Sequence, residues 1–261
     1  MRVVVIGGTG FIGARVVARL RGHDVTVLHR GASCDDASHV HGDRANVAAH
    51  RLRADVVIDM YAMTRGDAET LAAANIAPRI VVISSGDVYR QYDLLRRVAA
   101  GPSDALPLRE DAPLRETLFP YGGDYEKILV ERALPGTTIL RLPAVYGPGD
   151  PQRRFDAWRQ PHVVMQEDYA RWRWTRGHVE NVADAIVLAA LDERAAGRVY
   201  NVGEPDTLTE REWAELCGAS VELAPHVEGL PPYDWRYDLV MDTRAIRHEL
   251  GYREKVDRNA G

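Results

Sequence analysis

The first thirty residues most constrain the fold of this 261-residue chain. A short apolar run at 2–6, RVVVI, is followed at once by the glycine-rich stretch GGTGFIG at 7–13. Apolar residues recur at helical spacing over 14–20, and 24–28 has the composition of a second strand. A strand, a glycine turn, a helix and a strand in this order predict the opening βαβ unit of a dinucleotide-binding fold.

Three glycines of that turn each have a mechanical reason to be there. Gly7 lets the chain turn sharply out of the strand, and Gly10 lacks a Cβ, so the backbone can approach a pyrophosphate. Gly13 lets the helix lie close to the sheet. The helix N-terminus would then offer free N–H groups and a partial positive charge to the phosphates.

Composition narrows the class of protein. The chain is 46% apolar, which is enough for a sizeable core, and its net charge of −5 argues against a nucleic-acid or membrane partner. Its two cysteines, Cys34 and Cys217, match no metal-ligand spacing, so we expect no metal and a reduced, cytoplasmic protein. No stretch reads as a signal peptide or is long enough to span a membrane.

The end of the second predicted strand bears on cofactor choice. Folds that select NAD usually place an acid there to bind the ribose 2′-hydroxyl, whereas this chain has His29 followed by Arg30. An arginine can accommodate a 2′-phosphate, so NADP is predicted in preference to NAD. Asp43, just before Arg44, could reach an adenine amino group or could be an ordinary turn residue.

The rest of the chain continues the alternation of strands and helices. Residues 91–122 contain four prolines and are predicted to be irregular, and Asp124 is a candidate N-cap for the helix that follows. Thr209 and Glu212 form a predicted capping box, and Gly251 ends the last predicted helix. Strands are predicted at 55–60, 80–83, 138–142 and 199–201, and helices at 67–75, 125–134, 182–191, 210–216 and 244–250.

Six motifs run in order along nearly the whole chain: GGTGFIG at 7–13, ISSGDVY at 83–89, LRLPAVYGPGD at 140–150, HVENVADAIVLA at 178–189, VYNVGE at 199–204 and DTRAIRHELGY at 242–252. With them the sequence resembles the extended short-chain dehydrogenase/reductase superfamily, in its NAD(P)-dependent epimerase/dehydratase group. The resemblance implies an α/β fold with a Rossmann-type doubly wound parallel sheet and a small C-terminal substrate lobe. The sheet domain would take 1–150 and 178–203, and the lobe 151–177 and 204–261.

The resemblance also implies hydride transfer between NAD(P) and a hydroxyl or carbonyl carbon of a polar small molecule, such as a nucleotide sugar. The resemblance leaves open whether the protein forms a homodimer. The arginines and aromatic residues of 153–176 could grip a phosphate and stack on a base, or could be ordinary surface charges. The predicted substrate-binding residues are Tyr146, Arg153, Arg154 and Arg173. The predicted cofactor-binding residues are Gly7, Thr9, Gly10, Phe11, Ile12, Gly13, Arg30, Asp43, Arg44, Tyr61, Lys127 and Pro143.

Catalysis in the superfamily uses a serine, a tyrosine and a lysine together. By resemblance Ser85 takes the serine place and Lys127 the lysine place. Asp87 stands where dehydratases carry an acid/base residue, but the neighbouring acid of that pair is Gly86 here. Only two of the 33 basic residues are lysines, which indicates that position 127 needs a compact ammonium rather than any cation.

The tyrosine departs from the pattern, because the residue four before Lys127 is Gly123. Tyr121 and Tyr125 lie two positions to either side of it. On a continuous helix two residues correspond to about 200° of rotation, so Tyr125 is predicted to point into packing. Tyr121, ahead of the helix, is then predicted to supply the phenol. The alternative is a non-catalytic NAD(P)-binding protein, a sensor, scaffold or RNA-binding member with a degenerate Tyr-Lys motif.

Overall fold

A computed structural model describes residues 1–31, 37–120 and 123–258. The strands are β1 (Arg2–Ile6), β2 (Asp24–His29), β3 (Ser38–His41), β4 (Val56–Asp59), β5 (Arg79–Ser85), β6 (Thr138–Leu142), β7 (Ala144–Tyr146), β8 (His162–Gln166), β9 (Arg176–His178), β10 (Val199–Asn201) and β11 (Ser220–Ala224). The α-helices are α1 (Gly13–Arg19), α2 (Arg65–Ala74), α3 (Arg90–Leu95), α4 (Lys127–Ala133), α5 (Glu167–Arg171), α6 (Val179–Leu191), α7 (Glu210–Leu216) and α8 (Arg244–Leu250).

Seven of these strands form one parallel sheet in the order β10-β6-β5-β4-β1-β2-β3. Strand order runs outward in both directions from the β1–β4 pair, which makes this junction the topological switch point of a doubly wound fold. The predicted fold class, a Rossmann-type parallel sheet, is therefore confirmed.

The apolar runs of the central strands are explained by helices on both faces of the sheet. Successive side chains of β1 alternate between the two faces, and all four from Val3 to Ile6 are buried. Val3 and Val5 pack with residues of α1 and α6, while Val4 packs with Leu71 of α2. The sheet is thus the middle layer, and the loops at its carboxyl edge remain accessible.

Two smaller parallel pairs, β8 with β11 and β7 with β9, lie outside the central sheet. A second apolar core, which includes Tyr146, Trp158, Met165 and Trp213, packs beside them. The proposed boundaries between sheet domain and substrate lobe stay a prediction. None of the described helices is both long and apolar enough to cross a membrane.

Local patterns located most elements well. The strands predicted at 138–142 and 199–201 match β6 and β10, and the capping box at the start of α7 is present. Gly251 ends α8 with φ of 76°, as predicted. The short elements β7, β8, β9, β11 and α5 gave no recognised signal.

Two predictions in the middle of the chain were wrong. Helix α3 (Arg90–Leu95) covers the first residues of the segment expected to be irregular. The helix expected from Tyr125 begins instead at Lys127, and its N-cap is Glu126 rather than Asp124. Glu126 has an extended φ of −161°, and its own carboxylate accepts a hydrogen bond from the N–H of Ile128, so the helical backbone cannot extend back to Tyr125.

Candidate active site

A cleft of about 380 Å³ opens at the carboxyl ends of β1 and β2, beside the switch point. Ligands of doubly wound folds bind in this place. Among the predicted cofactor-binding residues, those that line it are Gly7, Thr9, Gly10, Arg30, Asp43, Arg44 and Tyr61. The structure therefore brings together residues that lie as far as 54 positions apart in the sequence.

The glycine turn has the shape that a pyrophosphate requires. Gly7 has φ of 78°, a conformation that favours glycine. A Cβ on Gly13 would lie 2.5 Å from the carbonyl oxygen of Gly7, so glycine is needed for α1 to pack against the turn. A Cβ on Gly10, by contrast, would meet no protein atom within 4 Å, because this side of the turn faces open space. These residues fit a bound dinucleotide.

Charged residues flank the far end of the cleft. Arg30 leaves 70% of its side chain exposed and contacts Asp43 through a 3.2 Å ion pair. A hydrogen bond from the backbone N–H of Ala45, with the nearby Arg30 charge, lowers the pKa of Asp43. Arg44 differs, since its guanidinium binds the buried carboxylate of Asp59 with both terminal nitrogens. Arg44 therefore braces the end of β4, whereas Arg30 is accessible to a ligand.

Lys127 lies at the carboxyl edge of the sheet, with only 4% of its surface exposed. Its Nζ donates hydrogen bonds to the backbone oxygens of Ala62, at 2.6 Å, and Ile83, at 3.0 Å. Burial lowers the pKa of the Lys127 ammonium to about 8, although the charges of Asp59 and Asp87 partly oppose that effect. The first residue of α4 thus places an ammonium between the loop that follows β4 and the carboxyl-terminal part of β5.

Tyr125 packs against Phe119, with the ring centres 5.7 Å apart, but its hydroxyl is directed to Asp87 near this ammonium, which corrects the expectation that Tyr125 points away from the site. Its hydroxyl donates a 2.7 Å hydrogen bond to Oδ2 of Asp87, and its ring centre lies 5.9 Å from Nζ of Lys127. The nearby Ser85 hydroxyl partly opposes the rise in the pKa of Tyr125 that burial and Asp87 cause. The rotation of about 200° between residues two apart applies only on a helix. Tyr125 precedes the N-cap of α4 and is not on the helix, so this rotation does not direct its side chain away from Lys127. Tyr121 lies outside the described residues.

Asp87 is the acidic centre of this group. Its Oδ1 is buried and has no hydrogen-bond partner among the described residues, and burial raises the pKa of the carboxyl. The Ser85 hydroxyl accepts the backbone N–H of Asp87 at 3.3 Å and so fixes the turn after β5. A Cβ on the adjacent Gly86 would lie 2.8 Å from Sδ of Met241, so this sulfur occupies the space that a side chain at position 86 would need.

The predicted substrate-binding residues do not converge on this group. Tyr146, Arg153 and Arg154 line a separate pocket of about 300 Å³, where the Tyr146 hydroxyl donates to Glu204 at 2.5 Å. Each of the three arginines is held by a carboxylate of its own chain: Arg153 by Asp156, Arg154 by Asp150 and Arg173 by Asp238. Their roles toward a substrate stay predictions.

The remaining cofactor predictions fall outside the lining of the cleft. Phe11 packs beneath the guanidinium of Arg15, whose carbon lies 5.0 Å from the ring centre. Ile12 is the N-cap of α1, and Pro143 lies between β6 and β7 against Gly177. Their contribution to binding also stays a prediction.

A doubly wound sheet with a glycine turn at its switch point defines a Rossmann-type nucleotide-binding fold. The chain belongs to the NAD dependent epimerase/dehydratase family, whose model matches residues 3–203. This confirms the resemblance that the sequence motifs indicated.

Two similar proteins are dTDP-sugar enzymes. The chain is 29% identical to a dTDP-glucose 4,6-dehydratase of Streptomyces niveus, over 98% of this chain and 89% of that protein. It is 28% identical to a dTDP-6-deoxy-L-talose 4-dehydrogenase (NAD(P)(+)) of Kitasatospora kifunensis, over 96% and 90%. Among solved structures, a short-chain dehydrogenase/reductase superfamily protein from Agrobacterium tumefaciens with bound NAD has a TM-score of 0.77. That likeness, at 20% identity over 100% of this chain and 94% of the other, shows the fold.

Proposed function

We propose that this protein is an NAD(P)-dependent oxidoreductase that transfers hydride to or from a carbon of a nucleotide sugar. The observation that carries the proposal is the 2.7 Å hydrogen bond from Tyr125 to Asp87, beside the ammonium of Lys127. A phenol in contact with a carboxylate, with an ammonium 5.9 Å from the phenol ring centre, provides the groups needed to move a proton while a carbon is oxidised or reduced. The dTDP-sugar enzymes among its relatives support a nucleotide-sugar substrate.

The glycine turn would hold the pyrophosphate and Arg30 a 2′-phosphate, which favours NADP over NAD. Lys127 has three N–H donors and uses two of them on Ala62 and Ile83, so among its contacts in the described chain one donor is left for a ribose hydroxyl. When bound, the nicotinamide accepts or returns the hydride.

The proton path runs through two side chains. Burial and the charge of Asp87 raise the pKa of Tyr125, so the phenol stays protonated in the resting protein. On oxidation of a substrate alcohol, the Tyr125 oxygen takes the hydroxyl proton while its own proton passes to Oδ2 of Asp87. Reduction reverses both transfers. Ser85, two residues before Asp87, would orient the substrate oxygen, and the Lys127 charge would stabilise the transient negative charge on Tyr125.

The test has a binding step and a turnover step. NADP and NAD are first titrated by calorimetry, and dTDP-glucose and UDP-glucose are then incubated with the protein and either cofactor. Products are followed by mass spectrometry and nicotinamide absorbance, because an epimerase or dehydratase gives no net change in cofactor. Conversion of either sugar that is lost in Tyr125→Phe supports the proposal. Cofactor binding without conversion of any nucleotide sugar in a wider panel would favour the non-catalytic alternative.

A further inference from the structure

A buried ion pair joins the two chain segments that carry Asp87 and Tyr125. Nη2 of Arg115 lies 2.7 Å from Oε1 of Glu126, and their side chains are 0% and 4% exposed. Glu126 stands between Tyr125 and Lys127 in the sequence, whereas Arg115 contacts the backbone of Asp87. The pair therefore touches both sides of the Tyr125–Asp87 hydrogen bond.

Arg115 fixes the turn that carries Asp87. Its Nε donates to the backbone oxygen of Asp87 at 2.5 Å, and its own N–H donates to the oxygen of Val88 at 2.8 Å. A further guanidinium bond reaches the oxygen of Thr117 at 2.6 Å, and the guanidinium carbon lies 3.8 Å from the ring centre of Phe119. With every nitrogen of the guanidinium engaged, the peptide of Asp87 has little freedom to move.

Glu126 fixes the segment that carries Tyr125. Its Oε2 accepts the N–H of Phe119 at 2.8 Å, and its Oε1 caps α4 through the N–H of Ile128 at 3.4 Å. Its backbone N–H donates to the oxygen of Met63 at 2.7 Å. The helix is thereby stopped between Tyr125 and Lys127, and both side chains can face the same site although they are only two positions apart in the sequence.

We propose that the Arg115–Glu126 pair is a positioning device that holds the Tyr125 phenol on the Asp87 carboxylate, in place of the helical turn that joins a tyrosine and a lysine four residues apart. This inference rests on the proposed function. Neither residue touches the reacting atoms, so both would act through Asp87 and Tyr125. The Arg115 charge has a second effect, since it opposes the burial that raises the pKa of Asp87.

The test compares two charge-neutral double variants of the full chain. Arg115→Met with Glu126→Gln removes the pair without leaving one charge buried alone, which keeps the protein able to fold. Arg247→Met with Glu254→Gln is the matched control, since that ion pair is also largely buried, with side chains 13% and 22% exposed, and joins α8 to the segment that follows it. Melting temperature and NADP affinity are measured first for both.

Two further readouts separate positioning from general stability. In ¹³C carboxyl NMR of aspartate-labelled protein, with Asp87→Asn to assign the signal, the Arg115/Glu126 variant should titrate Asp87 at higher pH by at least about half a unit. With a nucleotide sugar that the wild type converts, kcat should fall at least ~10-fold while KM stays within about twofold. The control variant should change neither quantity.

Each outcome bears on a different statement. An unchanged Asp87 titration, or equal changes in both double variants, would overturn the positioning role. If the wild type converts no nucleotide sugar, the proposed function fails by itself, and the NMR titration still decides whether Arg115 acts on Asp87.

Discussion

The hydroxyl of Tyr125 lies 2.7 Å from Oδ2 of Asp87, although the two residues are 38 positions apart and Tyr125 is only two residues from Lys127. This contact exists because α4 begins after Tyr125 and not before it. It makes a Tyr-x-Lys spacing compatible with a phenol and an ammonium in one site.

Replacing Tyr125 with phenylalanine should remove proton transfer while leaving the fold in place. We expect kcat to fall at least ~100-fold with a nucleotide sugar, the usual scale for the loss of a positioned acid or base. Tyr200→Phe is the matched control, because its hydroxyl also contacts a carboxylate, Glu249 at 2.8 Å, in a different part of the protein. Equal activity of the Tyr125 variant and wild type would rule out this phenol as the relay.

Asp87 should determine how kcat decreases on the acid side of its pH profile. The carboxylate accepts a proton only when ionised, and burial raises its pKa above the ordinary aspartate value. Wild-type kcat should therefore fall as pH decreases through that raised pKa, whereas Asp87→Asn should show low activity without this fall. Steady-state kinetics over a pH series test this, and the same fall in the variant would contradict it.

The ionised carboxylate of Asp87 should lower the free energy of unfolding at neutral pH. Because the folded-state pKa of Asp87 is raised, the folded protein holds this proton more tightly than the unfolded chain does. Stability is then lost as pH rises through the interval between the two pKa values. Asp87→Asn should thus be more resistant to urea than wild type at neutral pH, and this advantage should shrink in acid.

Sequence patterns were informative where structure is determined locally. The glycine turn, the apolar strands and the α7 capping box depend on residues within a few positions of each other, and they were located correctly. The start of α4 was misplaced because it depends on Arg115, eleven residues before Glu126 in the sequence. Such a pair between distant segments leaves no periodic signal, so neither it nor the orientation of Tyr125 was predicted.

Arg44 illustrates the same limit within the cleft. Asp43 and Arg44 were predicted to bind the cofactor, with an ordinary turn residue as the alternative for Asp43, and both line the cleft. The pairing of Arg44 with Asp59 could not be anticipated, because it requires β3 and β4 to be placed on either side of β1 and β2 in the sheet. A sequence shows that an arginine is present but not whether a carboxylate already neutralises it.

Two glycines of the turn should respond differently to substitution. Gly10→Val should leave the melting temperature of the free protein nearly unchanged, because a Cβ there meets no protein atom within 4 Å. It should weaken NADP binding at least ~10-fold by filling the space of the pyrophosphate. Gly13→Ala should instead destabilise the free protein by about 1–3 kcal/mol, since its Cβ would lie 2.5 Å from the oxygen of Gly7. Unaltered NADP affinity in Gly10→Val would place the cofactor elsewhere.

Arg30 should decide between the two cofactors. Arg30→Ala removes an accessible charge at the end of β2, so we expect NADP affinity to fall about tenfold and NAD affinity to change less than about twofold. Arg194→Ala serves as the control, because the Arg194 side chain is similarly exposed, at 66%, and also forms an ion pair with an aspartate, Asp192. Calorimetric titration at two salt concentrations measures both effects. Equal losses for NAD and NADP would remove the basis for the NADP preference.

Lys127 should leave a signature in the pH dependence of stability that does not require a substrate. Its pKa is lowered from 10.5 to about 8 in the folded protein, where burial is the main cause. Between these values the unfolded chain holds the proton and the folded protein does not, so wild-type stability should rise with pH across this interval. Lys127→Met lacks the group, and the stability of wild type relative to it should therefore increase from pH 8 to 10.5 by roughly 3 kcal/mol. Urea unfolding at a series of pH values gives this difference directly.

Lys255→Met controls for the loss of a lysine, since that side chain is 73% exposed in its ion pair with Asp184. Parallel stability curves for wild type and Lys127→Met would show that the ammonium is not desolvated, and would weaken its proposed place beside Tyr125.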